Sequence, residues 1–113
     1  MKIDIKTKEQ LDRMRVACRM SAEVRDLCAH AVMPGMRTRD IDEVVRRYCA
    51  ERNVAASFYR YEGFPGRICV SVNDEVIHGI PGDRVIQPGD IVKTDVGIRC
   101  NGYNGDTSRT VMV

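Results

Sequence analysis

Net charge is nearly absent from this chain. Its 18 lysines and arginines stand against 16 aspartates and glutamates, a formal excess of +2. So small an excess gives no electrostatic footprint for nucleic acid. Long apolar runs are lacking too: none approaches the length of a membrane span, and no charged-then-apolar opening resembles a signal peptide. The expectation is a cytoplasmic protein with no nucleic-acid and no membrane partner. Cys-x-x-Cys is also missing. The five cysteines, Cys18, Cys28, Cys49, Cys69 and Cys100, are odd in number and widely spaced, which argues against a disulfide framework or a structural zinc knot. They read as small buried hydrophobes in a reducing compartment. Internal repeats, low-complexity segments and linkers are absent as well. What remains is 113 residues, 43% hydrophobic and 30% charged, the composition of one soluble globular domain over residues 1–113.

Helical periodicity opens the chain. Thr7 and Gln10 form a capping box, and behind it Leu11, Met14, Cys18, Ser21, Val24, Cys28 and Ala31 recur at three- and four-residue spacing. This predicts one amphipathic helix, stopped by Met33-Pro34-Gly35. Thr38 is expected to cap a second helix with the stripe Ile41, Val44, Val45, Tyr48 and Cys49, ending near Asn53. The pattern then changes to strand. Ile68, Val70 and Val72 alternate with Cys69, Ser71 and Asn73, and Asn73-Asp74 reads as a turn into a short strand Glu75–His78. Gly79–Gly82 and Gln87–Asp90 are turn punctuation. A strand Ile91–Arg99, the hairpin dipeptide Asn101-Gly102 and a returning strand Tyr103–Val113 complete the order. The fold class expected is α+β, two helices packed on an antiparallel β-sheet.

Two aspartates in that last hairpin demand an explanation, because aspartate is a poor strand former. With Asn101 and Gly102 as the two central turn residues, residue 97 faces 106 and residue 95 faces 108. Side chains alternate with period two, so Asp95, Gly97, Asp106 and Ser108 should project from one sheet face. Asp95 and Asp106 become diagonal neighbours, with Cβ atoms roughly 7 Å apart. Carboxylates so placed suit a divalent cation, with Gly97 leaving space beside it. The alternative is a pair of solvent-facing hairpin residues, and the spacing alone does not decide between them.

The surroundings of the pair do carry a resemblance. PGDIVKTDVG, then GYNGDTSRT, with SVNDEVIHGIP upstream, resembles the signature region of the type I methionine aminopeptidases, and the likeness extends to the opening helix and the PGMRTRDIDEV step. It implies half of a pita-bread fold and a hydrolase that uses two divalent ions to remove N-terminal methionine. Asp95 and Asp106 would then be two of five protein metal ligands, with Asp106 bridging both ions. His78 resembles the family's substrate-contacting histidine, where an imidazole can donate a hydrogen bond near the scissile peptide. Tyr61, Phe64 and Cys69 match positions that resemble the pocket wall for the methionine side chain. Four of the six aromatic residues (Phe58, Tyr59, Tyr61, Phe64) lie within seven positions, and rings beside sulfur suit a thioether. An aromatic plug tying the helices to the sheet explains the same cluster equally well. His30 matches no functional position, and a helix-dipole role at the first helix's C-terminus suffices for it.

The family's other ligands, one histidine and two glutamates, have no counterpart in these 113 residues. The resemblance therefore implies an incomplete site, inactive alone, with its cofactor (Mn, Co, Fe, Zn or Mg) weakly bound. A homodimer or a complementary C-terminal half is the partner expected to complete the fold. Aminopeptidase activity recovered in such an assembly, and a non-enzymatic module that binds peptide N-termini, are the alternatives.

Overall fold

A computed structural model describes all 113 residues. Helix α1 spans Lys8–Ala31 and opens on the expected capping box: Gln10 N–H donates to Thr7 Oγ1 at 3.2 Å, and Thr7 N–H donates to Gln10 Oε1 at 2.8 Å. It stops one residue before Val32, ahead of the Pro-Gly pair. Its buried face is Ala17, Ser21, Val24, Cys28 and Ala29. The expected stripe drifts at its start: Leu11 and Cys18 are exposed, and Ala17 takes the inward position. Helix α2 spans Thr38–Arg52 and ends on left-handed Asn53, with Ile41, Val45, Tyr48 and Cys49 buried. Thr38 does not cap it. Its hydroxyl accepts from Gly82 N–H at 2.8 Å and donates to the Gly82 carbonyl, while Asp40 receives the Arg37 N–H at 2.8 Å. The threonine is diverted to hold a distant loop, and the third helical residue supplies the cap.

The strands are β1 (Ala55–Ala56), β2 (Cys69–Val72), β3 (Ile91–Val96), β4 (Ile98–Cys100), β5 (Tyr103–Asn104) and β6 (Thr107–Met112), with a short 3₁₀ turn at Tyr61–Gly63. They form two three-stranded antiparallel sheets, ordered β1-β4-β5 and β2-β3-β6. The expected single hairpin is thus bent into two segments at Gly97 and Gly105. A Cβ on Gly97 would fall on the Gly105 carbonyl oxygen, and one on Gly105 would fall on Ser21 Oγ, 2.8 Å from the Ala17 carbonyl. Gly97 therefore serves the close approach of the facing chain, not open space at the carboxylates. Ser21 Oγ uses that proximity: it accepts the Ile98 N–H at 2.9 Å and donates to the Ala17 carbonyl at 2.7 Å.

Glu75–His78 is not a strand. The Glu75 carboxylate takes the Val72 N–H at 3.0 Å, and the Gly79 carbonyl takes the Val70 N–H at 3.0 Å, so a loop pairs with the edge of β2 instead. Both helices pack on one side of β3, where Val92, Thr94 and Val96 are buried against Val24, Cys28, Ile41 and Val45. Arg25 and Arg109 tie α1 to β6, the first through Thr107 at 2.8 Å and the second through Asp26 at 3.2 Å. All five cysteines are free thiols. No helix is long and apolar enough to cross a membrane.

Candidate metal and substrate site

Turn chemistry fixes which residues meet across the hairpin. Asn101 and Gly102 have φ of 51° and 81°, the pair of positive values that a two-residue turn with the strands' own twist requires. Cys100 then pairs with Tyr103, Arg99 with Asn104, and Asp95 with Ser108, which is the expected register without a bulge. On the other side of β3, Asp95 pairs with Cys69. Alternation leaves Cys69, Asp95, Asp106 and Ser108 on the side away from the helices.

A cavity of about 510 Å³ opens on that side. Its lining contains Tyr61, Phe64, Cys69, His78, Asp95 and Asp106, together with Phe58, Glu62, Gly63, Pro65 and Ile80. All six residues singled out from the sequence therefore meet in one place, although they come from the 3₁₀ turn, β2, the loop after it, β3 and the β5–β6 junction. Glu62, Gly63, Pro65 and Ile80 lie outside the sequence reading of the site. Ile80 sits two residues from His78 in the same motif, where the pattern reads as turn punctuation; nothing in the sequence marks Glu62.

The electrostatics of the floor are unusual. Asp95 Oδ1 is buried without a hydrogen-bond partner. Burial raises the Asp95 carboxyl to about 6, helped by the proton it can share with Asp106 and by the Asp106 charge, while nearby His78 opposes the shift. Two ionised carboxylates have no proton between them, so the contact is repulsive until a proton or a cation enters. Cys69 is pushed up to about 11 by burial, and further by Asp95 and Asp106. It is a neutral thiol at physiological pH, a wall and not a thiolate ligand. His78 adopts a left-handed backbone, φ 58°, and is exposed at the rim.

These features fit a hard divalent cation: an orphaned buried carboxylate oxygen, a second carboxylate beside it, and oxygen donors only. They do not make a complete metal site. No group of three or more His, Cys, Asp or Glu side chains is arranged so that it could hold a metal ion.

The model of metallopeptidase family M24 matches residues 12–113. The chain belongs to this family. It is 44% identical over 111 residues to the methionine aminopeptidase of Treponema pallidum, covering 98% of this chain and 43% of that one. Methionine aminopeptidase 1 of Bacillus subtilis is 42% identical over 108 residues, covering 96% and 44%. Among solved structures, the Rickettsia prowazekii methionine aminopeptidase superposes with a TM-score of 0.96 at 36% identity, over 99% of this chain and 45% of that one. The chain thus spans less than half the length of each of these three relatives. Within that span the fold is that of the pita-bread metallopeptidases, two helices over antiparallel sheets.

Proposed function

We propose that these 113 residues supply one part of a methionine aminopeptidase-like active site, for the hydrolytic removal of an N-terminal methionine. The observation that carries this reading is the convergence of a carboxylate pair and an aromatic–thiol wall on one cavity. Asp95 and Asp106 would hold divalent metal, Mn, Co, Fe, Zn or Mg, with Asp106 as the shared ligand. When bound, the metal supplies a Lewis acid and an activated water. The remaining work belongs to side chains. Phe64, Tyr61 and the neutral Cys69 thiol offer polarisable contacts to a thioether, and His78 at the rim is placed to donate a hydrogen bond to the substrate's peptide group.

Two carboxylates leave most of a cation's coordination to water. The 113-residue polypeptide by itself is accordingly proposed to be inactive, to bind metal weakly and to depend on a second copy of itself or a complementary segment for the other ligands. Its five reduced thiols suit the cytoplasm. A second reading, a module that binds peptide N-termini without cleaving them, is favoured by one observation: Phe58, Tyr61, Phe64 and Cys69 line one cavity, while no group of three His, Cys, Asp or Glu side chains could hold a metal ion.

Three measurements test this. Mn²⁺ titration should show binding that Asp106→Ala abolishes. Native mass with and without Mn²⁺ should show self-association. Hydrolysis of a Met-initiated peptide should be absent for the chain alone and appear when it is mixed with the carboxy-terminal portion of the Bacillus subtilis relative. Mn²⁺ binding that survives in the Asp106→Ala variant would remove the assigned ligand, and with it the reading.

A further inference from the structure

The aromatic wall of the cavity rests on strained backbone. Arg60, Glu62 and Gly63 all have left-handed φ, 64°, 48° and 82°. The first two carry side chains that disfavour it, and such conformations persist only where the surroundings hold them. Local hydrogen bonds close this loop on itself, from Arg60 N–H to the Phe64 carbonyl at 2.8 Å and from Phe64 N–H to the Tyr61 carbonyl at 2.9 Å. They do not tie it to the body of the protein.

Asp42 does. One oxygen of its carboxylate accepts the Arg67 backbone N–H at 2.5 Å, and the other accepts the Arg67 guanidinium at 3.0 Å. The same guanidinium lies 4.2 Å from the centre of the Tyr59 ring, within cation–π range. Of the ten ion pairs in the molecule, this is the only one in which both side chains are at least three-quarters buried, 25% and 15% exposed. Its partners span both ends of the aromatic segment: Tyr59 precedes the left-handed residues and Arg67 follows them. α2, which contributes nothing to the cavity lining, is thereby strutted to the loop that presents Phe58, Tyr61 and Phe64.

We infer that Asp42 is a positioning residue for recognition of the substrate's apolar end: through Arg67 and Tyr59 it holds the aromatic wall at the spacing that admits an unbranched side chain. The inference rests on the functional reading above for the identity of the substrate, but the strut itself is a separate claim. A carboxylate that takes the Arg67 backbone N–H with one oxygen and its guanidinium with the other fixes both ends of that side chain and keeps the guanidinium face on the ring, whereas a neutral partner would lack the charge-assisted bond.

The test uses the full chain in three forms: wild type, Asp42→Asn and Asp42→Ala. Hydrogen exchange of residues 57–64 should quicken in the order wild type, Asn, Ala, because Asn keeps an acceptor for the Arg67 N–H while losing the charge. By calorimetry, the preference for a Met-initiated over an Ala-initiated peptide should fall roughly tenfold in the Ala variant, and Mn²⁺ affinity should stay within about twofold of wild type. Uniform weakening of both peptides would mark Asp42 as a merely structural residue and overturn the inference. Unchanged exchange at residues 57–64 would overturn it as well. If wild type itself ignores Met-initiated peptides, the functional reading fails, and the positioning role in that recognition fails with it; exchange data then report only whether the strut exists.

Discussion

The two sides of the β3–β6 hairpin obey opposite rules. Toward the helices, Val92, Val96 and Ile98 are buried among aliphatic neighbours, Ser21 bridges helix to strand, and missing Cβ atoms let backbones touch. Away from the helices lie a carboxylate with an unpartnered buried oxygen, a left-handed histidine, and the exposed apolar residues Val76, Ile77, Ile80, Ile91 and Met112. One strand thus carries tight packing on its even-numbered residues and unsatisfied chemistry on Asp95. Conflict between local preference and fold concentrates at functional sites, so the contrast itself marks the second side as the working one.

The largest effect should come from removing the helix side's backbone contact. Gly105→Ala places a methyl on Ser21 Oγ and beside the Ala17 carbonyl. Neither can retreat without moving α1 or giving up the bond to Ile98 N–H. A loss of about 4 kcal/mol or more is expected, read as a chain that no longer folds cooperatively by circular dichroism. Ile98→Ala, at a fully buried position, should cost about 3 kcal/mol in urea unfolding through lost burial and the cavity left behind. If both changes prove mild, the helix side is not the packed scaffold described.

On the other side, a cation should add stability instead of a mutation removing it. At a hundredfold excess over its dissociation constant, Mn²⁺ should stabilise the folded chain by about 2.7 kcal/mol, since only the folded state presents both carboxylates together. Thermal unfolding with and without Mn²⁺ measures this. Asp106→Ala should erase the metal-dependent rise while leaving the metal-free midpoint unchanged or higher. A rise that persists in the variant would place the ion elsewhere.

Much of this was legible because it is written in local chemistry. A two-residue turn at Asn101-Gly102 dictates every pairing in the hairpin, so the meeting of Asp95 with Ser108 followed from two residues that tolerate positive φ. The capping box at Thr7 was equally local. What escaped depends on partners far along the chain. Thr38 looks like a cap until Gly82 claims its hydroxyl. Val76 and Ile77 read as strand, yet they lie exposed in a loop because the Glu75 side chain occupies the edge of β2. Ala17 displaces Cys18 from the inward stripe on the turn of α1 that Gly105 approaches, where a Cβ on the glycine would meet Ser21 and the Ala17 carbonyl. Six of the residues that line the cavity could be named from the motifs, but the unpartnered oxygen, and hence the energetic tension there, required three-dimensional burial.

That tension sets the smallest and most diagnostic prediction. Asp95 holds its proton more tightly folded, to about 6, than an ordinary aspartate at 3.8. The folded state therefore binds more protons than the unfolded state between those values, and stability must fall as pH rises through that interval. Above pH 6 the full penalty remains, about 1–2 kcal/mol after allowing for solvent screening at a partly open cavity. Glu43 works in the other direction: Arg46 foremost, with Arg47, holds it down to about 2, so its contribution fades only as pH drops below the ordinary glutamate range. The metal-free chain should consequently be most stable near pH 4, where the window of Asp95 above 3.8 meets that of Glu43 below 4.5. Asp95→Asn removes the repulsion and should flatten the decline between pH 4 and 6, leaving the variant more stable than the parent at neutrality. If instead Asp95→Asn weakens the neutral fold, the carboxylate has a partner there, and the cavity side is as well satisfied as the helix side.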